Sequence, residues 1–443
     1  MPQRLLLRIL LVFIFFPPGI SHGQEGVLWT VDSAMENLEK RSLLAKALNA
    51  EVEHAEGQQS EANAVWLPRG ELEGNFTTSP GFKGASAAGY QDEDDWGPVV
   101  RGTIDGGIPL FAFGQLLVVQ ELGRLGVQVA EARKALKLAQ LKLALKNALL
   151  EVQRSKGRMK QIEKRSERAA MLEQVVLEAK RDNDPTISDQ LELMGSDGER
   201  DLAAERLQYD KATRQVLFLL NDPSGSLDVP AIEAPTIPSD VSAQLCIERA
   251  LEHRPDFLLG RTLLELGEVN ALLQRLRFLP GIALVASYSR RYAPMDTNQI
   301  GAFRSDPRNG GGFGTLLAAE WDLDFPTRWR ELEKAKGLVS SGNHQLAFAL
   351  AEGLYKVTLQ MRRVLSAEEL SRSSVASAEA ARKWYLAAQE AYRKGMGTFQ
   401  DVIESYRALS QAELAAIDSS VAYSLRLEAL HTHVGAACWG IAP

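Results

Sequence analysis

The stretch WLPRGELEGNF, residues 66–76, closes a polar, Ala- and Glu-rich run and opens a segment in which apolar and charged residues alternate. FLPGIALVASY, residues 278–288, repeats the plan: an aromatic, Leu-Pro, a Gly, then alternation. Pro68 and Pro280 stand 212 positions apart (280 − 68). Proline has no N–H to give a helix and pushes the residue before it out of the helical region, so both sites end a helix and begin an extended segment.

Other landmarks keep the same offset. TISDQLE (186–192) and TFQDVIE (398–404) differ by 212, and Leu202 matches Leu414 in the runs that follow. LEKRSLL (38–44) resembles LEHRPDF (251–257) at an offset of 213. The chain reads as an internal duplication, each copy being helix, strand, loop, strand, very long helix, turn, helix. The expected division is a leader at 1–23, a first repeat at 24–222 with strands near 67–80 and 98–109, and a Pro-rich linker at 223–239. A second repeat at 240–436, with strands near 280–292 and 313–325, and a tail at 437–443 complete it.

No proline lies between Pro109 and Pro185, or between Pro326 and Pro443, so both intervals can be helical for most of their length. Residues 113–181 alone would make a rod of about 100 Å. Val118, Leu122, Leu125, Val129, Ala132, Leu136, Ala139 and Leu143 step by 4 and 3, the seam of a coiled coil with small side chains.

The alternating segments have two different faces. Leu72, Gly74 and Phe76 oppose Glu71, Glu73 and Asn75; Val100, Ile104 and Ile108 oppose Arg101, Thr103 and Asp105. Ile282, Leu284, Ala286 and Tyr288 share one side of the third segment, and Ala319, Trp321, Leu323 and Phe325 one side of the fourth. Each segment has the length of a tilted membrane strand. Residues 66–113 and 278–329 hold 15 of the chain's 31 aromatics in 100 residues, which fits aromatic belts at membrane interfaces better than a soluble core of four strands. The loops GASAAGYQDEDDWG (84–97) and MDTNQIGAFRSDPRNGGG (295–312) read as solvated. Four strands do not close a barrel, and lipid does not tolerate open strand edges, so oligomerisation is expected; three chains give twelve strands.

The first residues carry Arg4 and Arg8, then the apolar run 9–16, then small residues before Gln24, the layout of a secretory signal peptide. Losing those two arginines takes the formal charge from -7 to -9 (-7 - 2), which argues against nucleic acid as a partner. No later run of 18 apolar residues predicts a membrane helix. Two cysteines, Cys246 and Cys438, are too few to build a disulfide scaffold; they either pair or stand as isolated small apolar residues.

In these respects the whole mature chain resembles the TolC-type outer-membrane efflux proteins. The carriers are the paired Leu-Pro strand entries, IPLFAFGQ and LDFPTRWR where strands return to helices, AYRKGMGTFQDVIE at the second tip, and the duplication itself. The resemblance implies a mainly α fold whose long helical hairpins form a periplasmic α-barrel, with four β-strands contributing to a trimeric twelve-stranded transmembrane β-barrel. It also implies a Gram-negative outer-membrane location and a homotrimer that works with a periplasmic adaptor (membrane fusion protein) and an inner-membrane pump. The alternative is a periplasmic coiled-coil adaptor or scaffold without a pore of its own.

Asp401 and Glu404 fall where relatives carry pore-facing acids, and a ring of six carboxylates would attract cations and raise its members' pKa by mutual repulsion. Thr398 with Asp401, and Thr186 with Asp189, also fit the spacing of a capping box, so a structural role stands beside the functional one. Asp189 and Tyr392 match a pair that holds the closed tip in the family; Tyr392 is otherwise a helix-surface aromatic, and a basic residue of that lock is Gly397 here. Trp66, Phe76, Phe111, Tyr288, Trp321 and Phe325 are the candidate aromatic girdle. No catalytic set, metal site or cofactor is expected; His431 and His433 read as a solvated helix end, and transport energy must come from a partner.

Overall fold

A computed structural model describes residues 27–84, 89–179, 185–230, 243–296 and 309–435. The expected leader, residues 182–184 of the first tip turn, residues 231–239 of the linker, the centres of both strand loops and the tail with Cys438 lie outside the described residues. In chain order the elements are β1 (Leu28–Trp29), α1 (Val31–Arg41), α2 (Leu43–Asn63), β2 (Arg69–Lys83), β3 (Tyr90–Phe111), α3 (Gln115–Ala179) and α4 (Pro185–Leu219). The second half follows with β4 (Ser226–Leu227), α5 (Ala243–His253), α6 (Pro255–Leu276), β5 (Gly281–Tyr292), β6 (Gly311–Glu320), α7 (Phe325–Arg393) and α8 (Phe399–Val434). They form two compact units, one from Met1–Lys46, Leu138–Val241 and Leu359–Thr432, the other from Ala47–Lys137, Ser242–Thr358 and His433–Pro443.

Local chemistry sets the helix ends, and it does so twice. Thr30 starts α1 with a capping box: its hydroxyl accepts from the Ser33 N–H at 3.3 Å, and its own N–H donates to Ser33 Oγ at 2.9 Å. The break between α1 and α2 is at Ser42 and that between α5 and α6 at Arg254, again 212 apart (254 − 42); there Pro255 supplies the first helical residue. Asn221, with φ 51°, ends α4 as a left-handed cap whose neighbour Asp222 donates to Leu217 O at 2.9 Å.

In the first unit, α1 packs on α3 and α4 around Trp29, Leu38, Leu145, Val152, Val216 and Leu220. Trp29 Nε1 donates to Asp222 Oδ2 at 3.0 Å, and the Arg41 guanidinium lies 5.1 Å from the Trp29 ring centre. β1 and β4 pair in parallel beside this core, so the expected linker contains a short strand that its Pro-rich composition hid. In the second unit, α6 and α7 approach closely at glycines. Phe257, fully buried, occupies the space a side chain at Gly353 would need: a Cβ there would stand 2.3 Å from the ring.

The expected coiled-coil seam on α3 holds only in part. Leu125, Val129 and Ala132 are buried as predicted, but beyond them burial passes to Leu141, Leu145 and Ala148, leaving Ala139 and Leu143 half-exposed. The cause is a change of partners: near its start α3 meets α2 at Gly123 and α6 at Gln115, whereas from Leu138 onward it packs in the first unit.

The four long strands form one antiparallel sheet in the order β2-β3-β5-β6. Two expected boundaries are corrected. β3 begins at Tyr90, not residue 98, because Tyr90, Gln91 and Asp92 pair with Lys83, Phe82 and Gly81 beyond a bulge at Pro80/Gly81; ladder bonds override the charged composition of that loop. β6 ends at Glu320, not residue 325. Asp324 caps α7, its Oδ1 accepting from the Thr327 N–H at 3.3 Å, so Phe325 is helical although it continues the alternation.

Candidate membrane sheet and helical tip

The sheet register lines up its side chains in rows. Leu72, Ile104, Tyr288 and Phe313 are successive partners, as are Ile108, Leu284 and Leu317, and Phe76, Val100 and Tyr292. All lie on one face, and Leu72 (76%), Phe76 (74%), Phe313 (73%) and Leu317 (68%) are almost as exposed as in an unfolded chain. The other face carries Glu71 opposite Asp105 and Ser287, then Glu73 opposite Thr103 and Ser289, then Asn75 opposite Arg101 and Arg291. Among the described residues no strand pairs with the outer edge of β2 or of β6.

One end of the sheet is fastened. Asp296 is buried, and its Oδ1 accepts from the Phe82 N–H at 2.8 Å, tying the end of β2 to the segment after β5. The Asn309 amide exchanges two bonds with the Ala293 backbone, each 3.0 Å. Of the girdle candidates, Phe76 and Tyr288 sit within strands. Trp66 closes the turn before β2, Phe111 is the last residue of β3, Trp321 follows β6, and Phe325 opens α7. Trp321 meets the Phe325 ring edge-on at 6.2 Å and donates through Nε1 to Phe278 O at 3.0 Å.

The second tip turn belongs to the first unit and is set by its sequence. Gly395, with φ 80°, ends α7: its N–H donates to Tyr392 O at 3.0 Å, and that of Met396 to Ala391 O at 2.9 Å. Thr398 then starts α8 as the cap, its amide and hydroxyl donating to Asp401 Oδ2 at 2.9 and 2.7 Å while its oxygen accepts the Asp401 N–H at 3.3 Å. Within one chain those bonds hold the Asp401 carboxyl below the usual carboxylate range, opposite to the rise expected from a ring of acids. Asp401 and Glu404 are exposed on one side of α8.

Asp189 is exposed one turn into α4; since that helix starts at Pro185, Thr186 lies inside it, not at its cap. Tyr392 is not a surface aromatic. It is 3% exposed, packed 5.9 Å from Phe399 in a core with Leu172, Ile187, Tyr385, Ile403 and Tyr406. Burial pushes the Tyr406 phenol up to about 12, and its O–H donates to Arg165 O at 3.0 Å. Gly397 leaves ordinary room for a side chain, 3.4 Å from Ala391 Cβ.

Sequence reasoning missed a ladder of ion pairs that joins α3 to α4 and α8. Arg168 grips Glu413 with two bonds of 2.6 and 2.9 Å; Arg165 meets Asp201 at 2.8 Å. Arg158 bridges Glu205 (3.0 Å) and Asp418 (2.6 Å), Arg154 meets Asp418 at 2.9 Å, and Lys146 meets Glu428 at 2.8 Å. Burial pushes Glu428 up, but His431 and Lys146 outweigh it and hold the carboxyl below its ordinary range. The partners lie 36 to 282 positions apart, so only the spacing of Arg154, Arg158, Arg165 and Arg168 on one helix face hinted at them. His431, expected at a solvated end, lies 3.9 Å from Glu428. Cys246 is buried and disulfide-bonded. Among the described residues no His, Cys, Asp and Glu group could hold a metal, and no helix is long and apolar enough to cross a membrane.

An open sheet with one apolar face, carried between helices of 65 and 69 residues, has the architecture of an outer-membrane channel subunit. Comparison with known proteins agrees. The family described as outer membrane efflux protein matches residues 246–436. CusC, a transmembrane channel, is similar over 94% of this chain and 96% of its own, with a TM-score of 0.75 at 15% identity. VceC, the outer membrane protein of Vibrio cholerae, is similar over 91% and 95%, with a TM-score of 0.73 at 18% identity. The open state of the MtrE outer membrane channel of Neisseria gonorrhoeae covers 91% and 88%, with a TM-score of 0.73 at 15% identity. No curated protein matches the sequence. The family resemblance is thereby borne out: the second half carries the outer-membrane efflux protein pattern, and the chain has the fold of these channels, mainly α with a small sheet. The outer-membrane location and channel class expected from the sequence rest on the same matches, which lend nothing to a pore-less adaptor.

Proposed function

We propose that this chain is one subunit of a homotrimeric outer-membrane exit duct, a passive conduit for small molecules or proteins handed over by an inner-membrane pump and a periplasmic adaptor. The observation that carries it is the sheet, with an exposed apolar face, a charged opposite face and two unpaired edges. Lipid covers the first, a water-filled passage the second, and neighbouring copies the third.

The aromatics fit this placement. Phe111 lies in the row of Ile282, and Phe76 in the row of Tyr292, ten residues farther along β5 (292 − 282). That is about 34 Å of strand, or about 26 Å of height at the usual barrel tilt, close to the apolar band of an outer-membrane barrel. Trp66, Trp321 and Phe325 join Phe111 at the helix-bearing end, and Leu72, Tyr288 and Phe313 fill the band between.

Asp401, Glu404 and Asp189 would then line the tip opening, with Tyr392 supporting it from the core beneath. Asp401→Asn with Glu404→Gln removes the charges but leaves an oxygen to accept the Thr398 bonds, so it separates cation attraction from capping. In planar-bilayer recordings the wild type conducts and is blocked by divalent cations, and the double variant is blocked less. Unchanged block removes both acids from the opening; absence of trimers and of conductance from purified protein refutes the duct itself.

A further inference from the structure

The described arginines of the first unit's α3 each meet a carboxylate in the ion ladder. Among those of its other helices that meet none, three share one groove. Arg362 and Arg363 of α7 and Arg426 of α8 line one groove of about 540 Å³ with Ser366, Ala367, Leu370 and Ala422, and no acid contributes to its lining. Among the described residues none of the three guanidinium groups lies within 4.0 Å of a carboxylate. Gln360 holds the groove's base by donating to Arg426 O at 2.9 Å, joining α7 to α8. Three like charges gathered without counter-charge, in a chain of formal charge -7, repel one another until an anion joins them. Each guanidinium offers a planar fork that matches a carboxylate or phosphate oxygen pair.

Arg426 follows Asp401 by 25 positions (426 − 401), which is about seven turns at 3.6 residues per turn, so both lie on the same face of α8. The exposed stripe between them runs through Glu404, Arg407, Gln411 and Ala415. We infer that the Arg362, Arg363 and Arg426 groove is an anion site on the wall of the passage, about 38 Å along α8 from the tip acids, and that it binds oxyanion-bearing solutes. Its place in the passage rests on the proposed function; its affinity for oxyanions does not. A solute leaving through the duct meets negative charge at the mouth and positive charge deeper in, so the two stations favour molecules carrying both signs.

The test uses the full chain in detergent at low ionic strength, with inorganic pyrophosphate as the probe and titration calorimetry as the readout. The wild type is expected to bind, with binding weakened at least tenfold in Arg363→Gln/Arg426→Gln and weakened less in the Lys versions, which keep charge but lose the fork. No binding to wild type, or equal binding to both variants, overturns the site. Trimer loss in the Gln variant while wild type ignores pyrophosphate also overturns it, assigning the arginines to a subunit contact. Pyrophosphate on the barrel side should reduce single-channel current in wild type only. If calorimetry shows the site but no channel forms, the duct fails and the anion site stands; if the channel conducts but neither assay sees pyrophosphate, only the anion site fails.

Discussion

In the proposed trimer, the repeat offset of the chain predicts how neighbouring copies join, down to the residue. Inside one chain β3, the second strand of the first repeat, pairs with β5, the first strand of the second; repeat symmetry makes β6 of one copy pair with β2 of the next. Leu72 corresponds to Leu284 (offset 212), and their partners Ile104 and Leu317 correspond at 213. Carrying the observed Ile104–Tyr288 pair across puts Leu317 (104 + 213) of one copy opposite Phe76 (288 − 212) of its neighbour. Parity checks the result, because both residues lie on the apolar face and a slip of one would set apolar against polar.

The driving force is large. β2 has 15 residues and β6 has 10, and about half the peptide groups of each point away from the existing partner. In lipid each unsatisfied group costs several kcal/mol, so open edges would cost tens of kcal/mol, more than the roughly 5–15 kcal/mol by which a protein is folded. Leu317→Cys with Phe76→Cys should therefore give oxidation-dependent covalent trimers on denaturing gels. Leu317→Cys with Leu72→Cys should not, since four residues displace the partner by about 13 Å, far beyond the roughly 4 Å between Cβ atoms in a disulfide. Cross-linking by the control pair and not by the predicted one refutes the register; monomers from both refute the shared barrel.

Gly353→Ala should lower the thermal midpoint, because overpacking against the buried Phe257 costs about 1–3 kcal/mol and outweighs the roughly 0.5–1 kcal/mol that alanine normally gains in a helix. Gly337→Ala, with nothing near its Cβ, should raise the midpoint, and Phe257→Leu should recover part of the Gly353→Ala loss. A double-mutant cycle on Arg168 and Glu413 should give a coupling of about 1–2 kcal/mol that shrinks in high salt; a salt-independent value contradicts an ion pair. Burial pushes Asp256 up, but the two Arg254 bonds of 2.8 and 2.6 Å hold it below its ordinary value. Its stabilisation is present above the unfolded pKa of about 3.9 and lost as pH falls through the folded one, so the gap between wild type and Asp256→Asn should close only below about pH 4.

What the sequence disclosed and what it hid divide along physical lines. Alternation in strands, proline-free runs and the doubled Leu-Pro sites are local patterns, and local patterns survive in one dimension. Phe325 shows where they mislead: it continues a period of two, yet a cap at Asp324 claims it for a helix. Leu143 fails differently, since the seam on α3 is right until its partners change at Leu138. The Asp296 latch, the parallel β1 and β4 pair and the ion ladder join residues 36 to 282 positions apart, where spacing carries no signal. Tyr392, which the sequence offers as a tip-lock residue or a helix-surface aromatic, is buried among Tyr385, Phe399 and Tyr406, because the narrow end of a helical hairpin draws its core from aromatics.

That ladder bears on how such a wall can hold and still move. In the first unit α3 and α8 are joined by Arg154, Arg158, Arg168 and Lys146 to acids that remain partly in water, whereas α7 and α8 meet at the tip through Tyr385, Tyr392, Phe399 and Tyr406, a core to which α3 adds the smaller Ala169 and Leu172 and the Arg165 carbonyl that accepts from Tyr406. Partly exposed ion pairs tolerate sliding, since their energy varies gently with distance and is screened by salt; an interdigitated aromatic core does not. A movement that widens the tip is therefore cheaper along the charged α3 and α8 seam, with α7 and α8 travelling as one body. Disulfides placed across α3 and α8 should arrest opening, while disulfides across α7 and α8 should leave it free; the reverse outcome would put the hinge in the aromatic core.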